Sequence, residues 1–330
     1  MRKSLPALAA ILSAGLLLTA CGQSPNARTD DAAGGDPSEL VFAVVPTDDS
    51  SELEKSFEPV VAAIEEATGI PTSIQAVSTN SGVIEAQVAE RVDIATYGAF
   101  SYYLASSVAD VTPVAMDQRT PEPGSGAVQS YGVVAAGSDI AEIADVAGAN
   151  VCFTDPASTT GYLTAAVALQ EAGIDPESEI TPVFVGSHDV AVTQMLAGDC
   201  DVAFVAGTFI DDILPARGVI SEGDTSTIWK SDGIPGTPIV LGDWLSDDLR
   251  AQITEAVTGT DAVQAHAAGL CETQTREAPP EWGEEYVGET ACLWGGTQAF
   301  AFEPADDETY AVISDICSVL DADVCRGEEA

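Results

Sequence analysis

An alternation of short apolar runs with amphipathic stretches sets the architecture of this chain, and it occurs twice. "ELVFAVVP" reads as a buried strand. "ELEKSFEPVVAAIEEATGI" reads as a helix, with apolar residues at 53, 57, 60, 61 and 64 and Gly69 at its end. "PTSIQAVS" is a second strand, "SGVIEAQVAER" a helix and "VDIATYG" a third strand. Strand–helix–strand order of this kind implies a right-handed parallel sheet. The pattern restarts at "YGVVAAG" (131–137) and runs through a short helix "IAEIADVAG" and the strand "ANVCFT". A helix follows to about Ala172, then the strand "TPVFVGS", the helix "DVAVTQMLAG" and the strands "CDVAFVAG" and "TSTIWKS". Two α/β units of this size make two lobes in roughly 290 folded residues. The tail begins with a short strand, "PIVLGDWL", and continues as helices with a Pro- and acid-rich loop, "REAPPEWGEE". It is expected to return to the first lobe, because the second already has its sheet complete. The expected domains are lobe one at 39–130 plus 238–330 and lobe two at 131–237. The cleft between them lies where strand carboxyl ends face each other.

The N-terminus bears on the compartment. Arg2 and Lys3 precede the apolar run "LPALAAILSAGLLLTA", which reads as a signal peptide over residues 1–20. "LTAC" resembles a bacterial lipobox, which implies cleavage before Cys21 and lipid on its thiol. Residues 21–38 are polar and aperiodic and read as a flexible tether. No later apolar run reaches the ~20 residues of a membrane helix. The expected product is extracytoplasmic and anchored to the membrane by lipid.

Charge and cysteines narrow the partners. The chain holds 11 basic and 53 acidic residues; without residues 1–20 it keeps 9 against 53, a net charge of −44. Such a surface repels nucleic acid and anionic lipid. Beyond Cys21 there are six cysteines: Cys152, Cys200, Cys271, Cys292, Cys317 and Cys325. An even count in an exported chain suggests disulfides. Cys152 and Cys200 flank predicted strands and form a plausible pair, while the pairing of the other four stays open. With no CxxC and two His, neither a zinc site nor any other metal or cofactor is expected.

The stretch "TDPASTTGYLTAAVALQEAGIDP" (154–176) places hydroxyls and Gly161 before an apolar helix that Gly173 stops. A helix start exposes unpaired N–H groups and partial positive charge, a ready anion site that needs no cation. "GSHD" sets His188 and Asp189 at another helix start, "TYG" ends a strand of the first unit, and "WKSDGIPGTPIV" spans the second crossing between units. In this order the "DPASTTGYL", "GSHD" and "IPGTP" segments resemble the phosphonate/phosphite/phosphate-binding proteins of ABC importers, over roughly residues 40–245. The resemblance implies a two-lobed periplasmic-binding-protein fold of type II. It implies a monomer that delivers a small phosphorus oxyanion to a permease. It also implies roles: Ser158, Thr159, Thr160 and Gly161 donate to the oxyanion from hydroxyls and backbone N–H groups, His188 donates a ring N–H, and Tyr97 donates its phenol from the opposite lobe.

Three positions depart from members that bind aminoalkylphosphonates. Thr208 and Thr237 stand where carboxylates are expected, and Asn80 where an aromatic is expected. That pattern implies phosphite, phosphate or an alkylphosphonate without an amine. A register shift of one or two would instead bring Asp211 or Asp212 to the cleft. Asp155 and Asp189 read as caps, and Trp229, Trp244, Trp282 and Trp294 as packing. Two other readings stand beside this one. One is a receptor for another small anion, of sulfonate or nitrate type. The other is a hydrolase built on Ser158 and His188, which the absence of a GxSxG elbow and of a metal cluster disfavours.

Overall fold

Leu40, Phe42 and Val44 face one hydrophobic cluster and Val41 and Ala43 another, so β1 (Leu40–Val44) is covered on both sides. That is why its sequence is a continuous apolar run and not an alternation. The computed structural model describes residues 36–45, 50–295, 299–320 and 325. The expected leader, Cys21 and nearly all of the tether lie outside these.

The chain continues through α1 (Ser50–Thr68), β2 (Thr72–Ala76), α2 (Asn80–Val88), β3 (Ile94–Thr96), α3 (Ala99–Val108) and β4 (Val111–Gln118). It then enters a second sheet with β5 (Ser130–Ala135), β6 (Asn150–Phe153), α4 (Thr164–Glu171), β7 (Thr181–Phe184), α5 (His188–Ala197), β8 (Val202–Ala206), α6 (Leu214–Ala216) and β9 (Thr225–Lys230). The tail supplies β10 (Pro238–Gly242), α7 (Asp247–Thr258), α8 (Ala262–Ala268), β11 (Thr275–Glu277), β12 (Thr290–Cys292), β13 (Ala301–Pro304) and α9 (Ala311–Val319).

The first sheet has the order β13-β4-β10-β3-β1-β2 and the second β7-β6-β8-β5-β9. β1 is parallel to β2 and β3, and β6 is parallel to β7 and β8. The strands that carry the chain in and out of the second sheet run the other way: β5 is antiparallel to β8 and β9, and β10 is antiparallel to β3 and β4. The chain therefore passes between the sheets twice, after β4 and after β9. The fold is the α/β, two-sheet arrangement of type II periplasmic binding proteins.

Two expectations need correction in detail. "IAEIADVAG" makes one 3₁₀ turn, Ile143–Val146, and no α-helix. A reciprocal Glu142–Asp145 capping box closes it, and Gly148 at φ 80° turns the chain away. The helix of the 154–176 stretch opens as a π turn over Thr159–Leu163 and becomes α-helical only at Thr164. Its end follows the sequence: Gly173 at φ 82° lets Ile174 N–H reach Leu169 O and its own N–H reach Gln170 O.

Helix α3 has no wide polar face. Six of its ten residues are buried, because it is wedged between the first sheet and the 157–166 segment, where Ala157, Leu163 and Ala166 join its cluster. Three disulfides close the described chain: Cys152–Cys200, Cys271–Cys292 and Cys317–Cys325. The first ties β6 to the turn before β8, and the second ties β12 to the loop between α8 and β11.

Candidate oxyanion site

Segments that follow β1, β3, β6 and β8 end on one cavity of about 1340 Å³. Its wall includes every residue proposed from sequence as a ligand contact except Gly161: Asn80, Tyr97, Ser158, Thr159, Thr160, His188, Thr208 and Thr237. Gly161 lies directly behind them. A Cβ there would fall 1.9 Å from Thr154 Oγ1, so no other residue fits.

The cradle is built by local rules. Ser158 is the N-cap of the π turn, and its Oγ accepts from Gly161 N at 3.1 Å. The wide turn is closed by bonds from Leu163 N to Ser158 O and from Thr164 N to Thr159 O. Thr160 O is taken by the Ser130 hydroxyl, which donates at 2.5 Å. Beneath the cradle, Phe153 meets Tyr162 edge-on at 5.2 Å and stacks on Phe204 at 5.6 Å. Each such pair adds about 0.5–1.5 kcal/mol beyond its burial. Thr159 reaches the other sheet: its Oγ1 accepts from Phe100 N at 2.8 Å, and Ser101 Oγ donates to Ala157 O at 2.8 Å.

His188 opens α5 and is buried. Its Nδ1 accepts from Ala206 N at 3.1 Å, which places the ring proton on Nε2. Burial pulls its pKa down to about 4, against the opposing pull of Asp189. The ring is therefore a neutral N–H donor at neutral pH. Ser158 and His188 form no nucleophile–base pair, since the cap holds one and Ala206 the other. Asp155 Oδ1 accepts from Ala157 N at 2.8 Å, and Asp189 accepts from the Ser187 hydroxyl, so both carboxylates brace local turns.

Tyr97 borders the cavity, but its phenol donates to Gln87 Oε1 at 2.7 Å within its own sheet's helices. Burial first, then the neighbouring Tyr102, raises its pKa well above the ordinary value, so it stays protonated. Its proton is spent on Gln87 in this structure.

The wall also holds groups that sequence reasoning missed. Asp117, at the end of β4, is 1% exposed and accepts from Thr237 N. A carboxylate thus stands beside Thr237, supplied from 120 residues away. Arg119 Nε lies 3.9 Å from Asp117 Oδ2. Asp211 and Asp212, which the sequence brought to the cleft only with a shifted register, border the cavity together with Thr208, Asp211 accepting from the Tyr131 hydroxyl at 2.7 Å. The distal wall beside Thr208 and Thr237 is therefore not free of carboxylates. Lys55, Arg119, Arg217 and Arg276 all line the same cavity, in a chain with eleven Lys and Arg. The cradle uses neutral donors, but the wider cavity does not. Trp282 packs edge-on to Phe300 at 5.1 Å, borders the cavity and carries the Arg276 guanidinium 5.4 Å over its ring. Among the described residues there is no group of His, Cys, Asp and Glu fit to hold a metal ion, and no helix is long and apolar enough to cross a membrane.

Known proteins resemble this chain over most of its length. Residues 42–278 match the family described as ABC transporter, phosphonate, periplasmic substrate-binding protein. The chain is 30% identical over 322 residues to the phosphate-import protein PhnD of Mycolicibacterium smegmatis, covering 94% of this chain and 95% of that one. Two solved structures share the fold. A binding-protein component of an ABC phosphonate transporter from Pseudomonas aeruginosa superposes with a TM-score of 0.65 at 21% identity, over 85% of both chains. PhnD1 of Prochlorococcus marinus, in complex with methylphosphonate, gives 0.66 at 15% identity over 87% of this chain and 99% of that one.

Proposed function

We infer, for a chain that belongs to the family of periplasmic substrate-binding proteins of ABC phosphonate transporters, that its ligand is a small phosphorus oxyanion without an amine: phosphite, phosphate or a simple alkylphosphonate. The observation that carries this reading is the convergence of oriented neutral donors on one cavity. Ser158 and Thr159 each have an oxygen lone pair held by a backbone N–H, which aims their hydroxyl protons elsewhere. His188 offers Nε2–H. Two helix starts, at Thr159 and His188, add backbone N–H groups. Such donors are strong when water is excluded and suit an anion in a chain too acidic to attract one from afar. Thr160 completes the cradle in this reading, Gly161 shapes the turn without donating to the ligand because Ser158 Oγ takes its N–H, and Tyr97 contributes once its phenol leaves Gln87.

The distal end favours a ligand without an ammonium group. Thr208, Thr237 and Asn80 carry no charge, Asp117 is engaged with Thr237 N and Arg119, Asp211 with the Tyr131 hydroxyl, and Asp212, the other carboxylate of that wall, is exposed to solvent. An unpaired ammonium buried there would cost several kcal/mol. Competition calorimetry decides this: methylphosphonate is expected to bind more tightly than aminoethylphosphonate, and the reverse order would overturn the amine-free reading.

The remaining parts of the proposal concern delivery. Residues 39–130 with 238–330, and residues 131–237, move as two lobes that close on the ligand. The monomer then docks on the permease. Residues 1–20 are removed, and lipid on Cys21 holds the chain outside the cytoplasm at the membrane. Cys21→Ser should release the protein into the soluble fraction, and unchanged membrane association would refute the anchor. The protein is a receptor and not a hydrolase in this reading, which the separate engagement of Ser158 and His188 supports.

A further inference from the structure

Thr154 stands at the end of β6, directly behind the cradle, and no motif of the chain assigns it a role. Its hydroxyl is buried, with the residue 4% exposed, and among the described residues Oγ1 has no hydrogen-bond partner in the protein. Buried hydroxyls are ordinarily paired. Thr154 lines the cavity, and its Oγ1 lies close against the space a Cβ on Gly161 would need. The unpaired group is therefore packed against the turn that makes the cradle.

Ser158, Thr159 and His188 differ from it in what they have left to give. Ser158 Oγ holds Gly161 N–H and Thr159 Oγ1 holds Phe100 N–H, so each presents a proton. Neutral His188 accepts at Nδ1 and has only a proton to offer at Nε2. Such a set serves bare anionic oxygens. A singly protonated phosphate or phosphonate also has a P–O–H group, which must donate; a sulfonate has none. Thr154 Oγ1 keeps both its proton and its lone pairs available.

We propose that the Thr154 hydroxyl belongs to the ligand site, accepts the hydrogen bond of a protonated phosphoryl oxygen, and so favours phosphorus over sulfur oxyanions. This inference rests on the phosphorus-oxyanion reading above. Asp155 is the competing acceptor, since it also borders the cavity and its Oδ1 already holds Ala157 N–H.

The test uses the full folded chain with methylphosphonate and methanesulfonate as probes. Thr154→Val keeps the shape and removes the hydroxyl. It should weaken methylphosphonate by about tenfold and methanesulfonate by less than about twofold, as expected for one lost bond to a charged ligand. Thr154→Ser should bind like the wild type. The ³¹P shift of bound methylphosphonate, followed against pH, should show the ligand losing its proton at lower pH in Thr154→Val than in the wild type; a merely structural role would not move that curve. If valine impairs folding, Thr154→Ala carries the same comparison. Unchanged affinity and proton curve, equal weakening of both probes, or a shifted curve in Asp155→Asn but not in Thr154→Val would overturn the inference alone. A wild type that binds no phosphorus oxyanion would overturn the functional reading and the inference with it.

Discussion

Thr159 caps a helix of the opposite sheet: its Oγ1 accepts the backbone N–H of Phe100 at 2.8 Å across 59 residues of sequence. Gly98, the N-cap of α3, has no side chain with which to do so, and a Cβ there would meet Thr159 Oγ1 at 2.7 Å. The hydroxyl thus holds α3 with a lone pair and keeps its own proton, which in the proposed function goes to the ligand. Thr159→Val should lose both and weaken ligand binding by about 10- to 100-fold, the effect of roughly 1.5–3 kcal/mol. Thr159→Ser should stay near the wild type. Calorimetry on the two variants checks this, and equal affinities would show that the hydroxyl faces no ligand.

The state of His188 predicts a pH dependence of stability. In the unfolded chain its ring takes a proton near pH 6.5, whereas burial keeps the folded ring neutral down to about 4. The unfolded state therefore binds more protons in that window, and stability falls on acidification from about 6.5 toward 4. One such proton is worth about 1.4 kcal/mol per pH unit. Urea unfolding of the wild type and of His188→Gln across this range isolates the effect. The variant should show the shallower slope, and parallel slopes would place the folded His188 near its ordinary pKa.

Cys152–Cys200 closes a separation of 48 residues. A loop of that length corresponds to about 4 kcal/mol of lost unfolded-chain entropy. The double variant Cys152→Ala, Cys200→Ala should shift the urea midpoint downward accordingly. It should leave ligand affinity nearly unchanged, because the bridge lies in β6 and the turn before β8, away from the cavity wall. A large affinity loss in a folded double variant would show that the bridge positions the cradle.

The unbroken apolar run of β1 and the helical spacing of α1 and α5 are legible in the sequence, and so is the capped turn of the cradle, because Ser158 to Gly161 are contiguous and obey local capping rules. α3 and β4 are not. "AFSYYLASSV" lacks a wide polar face because both sides are covered, and Pro113 interrupts a strand whose burial nonetheless alternates strictly. The insertion of β10 between β3 and β4 follows from no local signal. The Asp117 carboxylate beside Thr237, the proton on Nε2 of His188 and the cations gathered on the cavity wall depend on partners far away in sequence. The π turn at Thr159–Leu163 is hidden for another reason: its composition is that of a capped α-helix.

Titration of methylphosphonate and phosphate into the wild type and into His188→Ala tests the central claim most directly. Removing one N–H donor from a charged ligand should weaken binding by about 10- to 100-fold. The account predicts saturable one-site binding by the wild type and that loss in a folded variant. Absence of binding by the wild type, or equal affinity in the two proteins, would contradict it.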